Sequence, residues 1–261
     1  MSTYGVIYCA YQAEDLVPRS LAPWVAARAA KLGNHAFIIC AVSVPFEGFD
    51  HGGTPLDGTQ DLLYDALAEG RIDRLISPPT PMKETEARGT VLRWLVEQGV
   101  DATVMVDADE FWTEAQIAAT LSFVESNPWV TWFRIPYKQI VFDRQHYLAE
   151  PFTPPRIHRV AAGGYRASGF WDDNNVVYTS LKHPDHTKRD IDLASLTVPK
   201  EAAWVPHETW ISNLRSKQKV EYQIKARGWE CSFKWNDETG LAFNEAYYAA
   251  RGLPLPEVVS L

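Results

Sequence analysis

Short apolar runs alternate with helix-like stretches through the first 130 residues, and that alternation constrains the fold more than any other feature. "YGVIYCA" (Tyr4–Ala10), "AFIICAV" (Ala36–Val42), "DRLIS" (Asp73–Ser77) and "ATVMVD" (Ala102–Asp107) each read as a strand. Between them lie a helical stretch from about Glu14 to Gly33, split or kinked by Pro18 and Pro23, and then "GTQDLLYDALAEG", which Asp57 is placed to cap. In "KETEARGTVLRWLVEQG", Ala87, Val91, Leu92, Leu95 and Val96 recur at helical spacing up to Gly99. Thr113 and Gln116 then form a capping-box pattern for a helix ending before Pro128. Such alternation predicts an α/β fold with a Rossmann-like, doubly wound, mostly parallel sheet.

The second half has a different texture. "WVTWFRI", "IVFD", "RIHRV" and "NVVYTS" read as short strands between turns. "HETWISNLRSKQKVEYQIKARGW" reads as a long polar helix and "TGLAFNEAYYAARG" as another, giving an irregular α+β C-terminal half. The change near residue 130 is one of texture within a single domain, 1–261. With 46% hydrophobic residues in 261, one large core is within reach.

Bulk charge and composition exclude some functions. No apolar run approaches the roughly 20 residues of a membrane span, and the N-terminus lacks a signal-peptide layout. A net charge of −8 gives no general reason to bind nucleic acid. Cys9, Cys40 and Cys231 are too scattered for a disulfide framework, and Cys9 and Cys40 sit in apolar runs as core residues, which suits a reducing cytoplasm.

The chemistry concentrates where "ATVMVD" ends and three acids fall in four residues, Asp107, Asp109 and Glu110. Open parallel sheets bind ligands beyond the carboxyl ends of their strands. If the extended backbone continues, Asp107 and Asp109 point to one side and form a hard-oxygen site for Mg²⁺ or Mn²⁺. A diphosphate completes the shell of such an ion, which stabilises it as a leaving group. The competing reading is a solvated turn that favours the next helix N-terminus, but Thr113 already supplies that cap.

These segments resemble a glycosyltransferase of the GT-A fold, close to family 2. "VIYCAYQAEDLVPRSL" is similar to that group's opening strand and loop, and "ETEARGTVLRWLVEQGVDATVMVDADEF" to its arginine-marked helix and D-x-D. "VPHETW", followed by a Lys-bearing helix, resembles the segment in which a histidine completes the metal site. The resemblance implies Asp107 near the ribose and metal, Asp109 as main ligand and His207 as a further one. It also implies Ala10, Tyr11 and Glu14 bordering the nucleotide, with Arg88 supporting it. Residues 1–130 become the nucleotide-sugar-binding half and 131–261 the acceptor side. The implied donor is a UDP- or GDP-sugar, and the acceptor a carbohydrate or other hydroxyl.

Departures from the pattern matter. There is no Q-x-x-R-W motif, and no clear acidic pair to act as base; "GFWDDNN" offers Asp173, then Asp172, against a plain polar turn. In the basic helix Arg215, Lys217, Lys219, Lys225 and Arg227 form a charged face from which Lys217 is the residue to reach a diphosphate. His183 and His186 in "KHPDHTKRD" read as a solvated loop before a metal pair. The aromatic segments "FWDDNN" and "SFKWND" are expected to shape an acceptor pocket.

Other classes fit less well. A nucleotidyltransferase needs a glycine-rich basic loop after its first strand, and "CAYQAEDL" is neither. The Rossmann, P-loop and nucleophile-elbow motifs are all missing. A non-catalytic carbohydrate- or nucleotide-binding protein of the same fold remains an alternative, as does, against the acidic charge, transfer to modified DNA bases.

Overall fold

The computed structural model describes residues 1–45, 57–162, 165–167, 180–182, 191–192, 194–211, 214–225 and 231–260. The described residues fall into two compact units: one runs to residue 136 and takes in 153–205, and the other comprises 137–152 and the chain from 206 onward.

The first unit is built on a seven-stranded sheet. β1 (Thr3–Cys9), β2 (Ala36–Val42), β3 (Arg74–Ile76) and β4 (Ala102–Asp107) are its parallel strands, in the order β3-β2-β1-β4. β8 (Pro155–Arg159) pairs antiparallel with β4 and with β5 (Trp132–Arg134), and β13 (Ser195–Thr197) closes the edge parallel to β5. The predicted α/β alternation is therefore realised, with the antiparallel β8 inserted beyond its four parallel strands. β9 (Ala161–Ala162), β10 (Tyr165–Ala167), β11 (Ser180–Lys182) and β12 (Ile191–Asp192) make a separate antiparallel sheet.

Side-chain alternation along β1 assigns the helices to faces. Tyr4 and Tyr8 point to one side, where Tyr8 Oη lies 2.6 Å from Ser20 Oγ of α1 (Val17–Ala29) and Tyr4 bonds Glu125 of α4 (Glu114–Glu125). Gly5 and Ile7 face α3 (Glu84–Glu97), where Ala87, Val91, Leu92 and Leu95 are buried with Ile7, Cys40 and Val42. A Cβ on Gly5 would lie 3.0 Å from Leu95 Cδ1, so the glycine lets α3 settle close to the sheet. α2 (Thr59–Ala68) lies between β2 and β3 in the chain.

Local signals held in part. Thr113 and Gln116 form the predicted capping box, and Gly99, at φ 79°, follows α3. Asp57 sits one residue ahead of the N-cap Gly58, yet its carboxylate accepts the Thr59 N–H at 3.1 Å. Of the split or kink expected at Pro18 and Pro23, the split does not occur, since α1 runs unbroken from Val17 to Ala29. Pro18 falls in the first turn of α1, where its missing N–H costs nothing, and Leu21, Trp24 and Ala27 bury the face around Pro23. α1 starts at Val17 rather than Glu14, and Gly33, at φ 66°, belongs to a short 3₁₀ turn after its end.

The second unit holds a four-stranded sheet ordered β14-β6-β7-β17, made of β6 (Tyr137–Phe142), β7 (His146–Leu148), β14 (Val205–Ile211) and β17 (Val258–Ser260). With it go α5 (Leu214–Lys225), the hairpin of β15 (Phe233–Asn236) and β16 (Gly240–Phe243), and α6 (Glu245–Ala250). Two sequence expectations are corrected here. "VPHETWI" is a strand, so the long helix expected from His207 begins only at Leu214. Likewise "GLAF" is a hairpin strand, and only "EAYYAA" is helical. In both cases burial overrode propensity: Trp210, Phe233 and Leu241 share one core with Val141, Leu148, Val220 and Cys231.

Candidate functional site

The strand order reverses between β1 and β4, because β2 and β3 lie on one side of β1 and β4 on the other. This is the position at which open α/β sheets form a crevice. The strands end together there, with Cys9 in register with Asp107 and the Ala108 N–H donating to the Cys9 carbonyl at 2.9 Å.

Asp107 shares the α3 face of the sheet, and α3 sends Arg88 toward it from one turn below Leu92. Arg88 Nη2 donates to Asp107 Oδ1 at 2.7 Å. From the other side, Arg156 of β8 donates from Nη2 to Asp107 Oδ2 at 2.8 Å. The same nitrogen lies 2.7 Å from Glu110 Oε1, and the Glu110 side chain is fully buried. The four groups alternate in sign: Arg88, Asp107, Arg156, Glu110. The positive charge that three crowded acids demand is supplied in part by two arginines of the same chain.

The extended backbone assumed for the acidic segment stops at Asp107. A turn follows, closed by the Glu110 N–H donating to the Asp107 carbonyl at 3.0 Å, with buried Ala108 and partly exposed Asp109 at its centre. The i, i+2 argument for convergence therefore does not apply, because Asp109 sits in the turn and not on the strand. Beside it, Trp112 is buried edge-on against Trp24 at 5.4 Å, and the Arg19 guanidinium lies 4.0 Å from the centre of the Phe111 ring. Burial pushes the Tyr8 hydroxyl far above its ordinary range, against its bond to Ser20, and the charges of Asp109 and Asp107 add to the rise.

The loop after β1 is tied to the start of α2. Ala10 extends the β1–β2 ladder by donating to the Val42 carbonyl at 3.0 Å. The Glu14 N–H donates to Asp57 at 3.1 Å, and the Glu14 carboxylate accepts the Gly58 N–H at 3.0 Å. A Cβ on Gly58 would sit 2.8 Å from Glu14 Oε1, so a side chain there would push the Glu14 carboxylate aside. Tyr11 is half-buried, and burial, followed by the Asp57 charge, pushes its hydroxyl up to about 12. Ala10, Tyr11, Glu14, Arg88, Asp107 and Asp109 all belong to the first unit.

His207 and Lys217 belong to the second unit. His207 lies within β14, not in a loop before a helix, and is buried with its ring centre 5.1 Å from that of Tyr137 and 6.4 Å from that of Phe152. Lys217 Nζ donates to Asp237 Oδ1 at 2.7 Å, and this bond raises the lysine and lowers the aspartate. In "SFKWND", Phe233 is buried against Trp210 at 4.5 Å, so it packs the core instead of lining a pocket. Asp172, Asp173, His183, His186 and Arg227 lie outside the described residues.

Sequence reading missed Arg156 and gave Glu110 no role. The available signal was the pattern of "RIHRV": arginine and histidine at alternate positions of a buried strand imply a polar partner on that face. His158, fully buried, carries its pKa lowered to about 3, by burial first and then by the Arg156 charge.

The donor set suits a hard cation only in part. Among the described residues no three His, Cys, Asp or Glu side chains gather as a metal-holding group. Magnesium, however, commonly uses one or two carboxylates and takes the rest of its shell from phosphate and water. Asp107 and Asp109 are the carboxylates that the turn offers to such a shell, and both Asp107 oxygens already accept from guanidinium groups.

No family model matches the chain, and no curated protein matches it. Among solved structures, S. aureus TarS 1-349 is similar over 85% of this chain and 63% of its own, at 9% identity and a TM-score of 0.45. The same fragment in complex with UDP-GlcNAc is similar over 53% of this chain and 35% of its own, at 12% identity and a TM-score of 0.39. Glucosyl-3-phosphoglycerate synthase from Mycobacterium tuberculosis, in complex with Mn²⁺, UDP and glucosyl-3-phosphoglycerate, is similar over 52% and 44%, at 16% identity and 0.35. The chain thus spans less than two thirds of each of these proteins, and likeness at this level assigns no activity. No described helix is long and apolar enough to cross a membrane.

Proposed function

We propose that the protein is a glycosyltransferase moving a sugar from a nucleoside-diphosphate donor, a UDP- or GDP-sugar, to an acceptor hydroxyl. The observation that carries this reading is the acidic turn at the reversal of strand order, where Asp107 and Asp109 stand at the carboxyl end of β4. Mn²⁺ or Mg²⁺ held by these two residues would neutralise charge developing on the departing diphosphate. Arg88 fixes Asp107 from the helix side, and the Glu14–Gly58 latch shapes the loop that would border the nucleotide. In an inverting reaction Asp173, or else Asp172, would take the acceptor proton, an assignment resting on sequence alone.

A thermal-shift series with UDP and GDP, each with and without Mn²⁺, tests the reading. Nucleotide with metal should raise the melting temperature by ligand linkage, and Asp109→Ala should lose that rise while melting unchanged on its own. No rise with either nucleotide would remove the proposal.

One observation favours a second reading, a non-catalytic nucleotide-binding protein: both Asp107 oxygens already accept from arginines of the chain. Release of free nucleoside diphosphate from a UDP- or GDP-sugar decides between them, since a binder retains its donor intact.

A further inference from the structure

We infer that Arg156 is the positioning residue of the acidic turn, bracing Asp107 and Glu110 so that Asp109 meets a cation and diphosphate already in place. The inference rests on the donor reading above, and it concerns a residue that motif matching does not single out.

The turn Asp107–Ala108–Asp109–Glu110 is tied at its base twice. The main chain closes it once, from the Glu110 N–H to the Asp107 carbonyl at 3.0 Å. One guanidinium nitrogen closes it again, lying 2.8 Å from Asp107 Oδ2 and 2.7 Å from Glu110 Oε1. Ala108 is pinned as well, through its N–H to the Cys9 carbonyl at 2.9 Å. Asp109 is thus carried on a turn whose two ends and one flank are all held.

The brace is internal, not a solvent-facing charge. The Arg156 side chain is 8% exposed and that of Glu110 0%, so the pair is almost shut off from water. Glu110 would be costly to bury ionised without a partner, and Arg156 offsets that cost while spanning the turn. β8 is a paired inner strand of the sheet, with β4 on one side and β5 on the other, so the guanidinium starts from a rigid base. Arginine suits the task because its rigid planar fork holds one nitrogen in hydrogen-bond contact with Asp107 and in ion-pair contact with Glu110, whereas the lysine ammonium is a single flexible point.

The test measures Mn²⁺ binding in the presence of UDP or GDP, by electron paramagnetic resonance of free Mn²⁺, for wild type, Arg156→Gln, Arg156→Lys and Glu110→Gln. Arg156→Gln should weaken binding about 10- to 100-fold, as loss of an outer partner of a metal ligand does, and Arg156→Lys should recover part of it. Glu110→Gln should weaken binding in the same direction although buried Glu110 touches no ligand. Folded Arg156→Gln and Glu110→Gln proteins that bind as wild type does would overturn the inference. If Arg156→Gln does not fold, Glu110→Gln decides alone. If wild type itself binds no Mn²⁺ with either nucleotide, the donor reading falls, and amide exchange still judges the brace. The Asp109 and Glu110 amides should then exchange at least about tenfold faster in Glu110→Gln, the factor that about 1.4 kcal/mol represents. Unchanged exchange would mean that Arg156 does not hold the turn.

Discussion

Two strands of this protein bury polar side chains by different means. At the end of β4, Glu110 and Asp107 are met by Arg156, itself 8% exposed. In β14, buried Glu208 is met by Arg144, whose side chain is 62% exposed, and buried His207 is packed beside the rings of Tyr137 and Phe152. An ion pair withdrawn from water is costly to break because the remaining charge has nowhere to turn, whereas a pair open to water on one side loses little. The first arrangement preorganises a turn; the second secures a strand.

Breaking each arrangement should therefore give unequal costs. The largest is expected for Arg156→Ala, which removes the guanidinium from buried Glu110 and from Asp107 and should lower unfolding free energy by about 3–5 kcal/mol in urea titrations. A loss below about 1 kcal/mol would place this pair with the exposed ones.

Next comes His158, on the same face as Arg156. Its folded pKa of about 3 lies below the ordinary 6.5, so between these values the unfolded chain binds a proton that the native state refuses. Its contribution is fully present above pH 6.5 and is lost as pH falls toward 3, with a slope of about 1.4 kcal/mol per pH unit within that window. His158→Phe should flatten that part of the stability–pH curve, and an unaltered slope would assign it elsewhere.

A smaller effect is expected for His207→Phe, which keeps a ring beside Tyr137 and Phe152 but adds volume to a buried site. Stability should fall by about 1–3 kcal/mol, as for overpacking. Mn²⁺ affinity separates its roles: unchanged binding makes His207 a packing residue, and lost binding makes it the further ligand its motif implies. The smallest effect belongs to Arg144→Ala, about 0–1 kcal/mol, and a loss near that of Arg156→Ala would erase the contrast between the two strands.

Much of the first unit was legible because its signals are local. The four parallel strands and the helices after them follow from apolar period, from Gly99 and from the Thr113–Gln116 cap, each of which acts within a few residues. Reading failed where burial was imposed from a distance. "VPHETWI" carries enough polar residues to pass for helix, and only pairing with β6 and the core around Trp210 make it a strand. The site divided along the same line. Asp107, Asp109 and Arg88 were visible as a motif, while Arg156 lies 49 residues from Asp107 along the chain.

By itself, then, the sequence determined where strands and helices alternate and that three acids crowd the end of β4, since periodicity and composition are properties of neighbours. Only the tertiary structure decided that these acids ride on a turn and that arginines from α3 and β8 pair with Asp107 and Glu110. Charge inside a protein is settled by whatever the fold brings within a few ångströms, and that distance is not written in residue spacing.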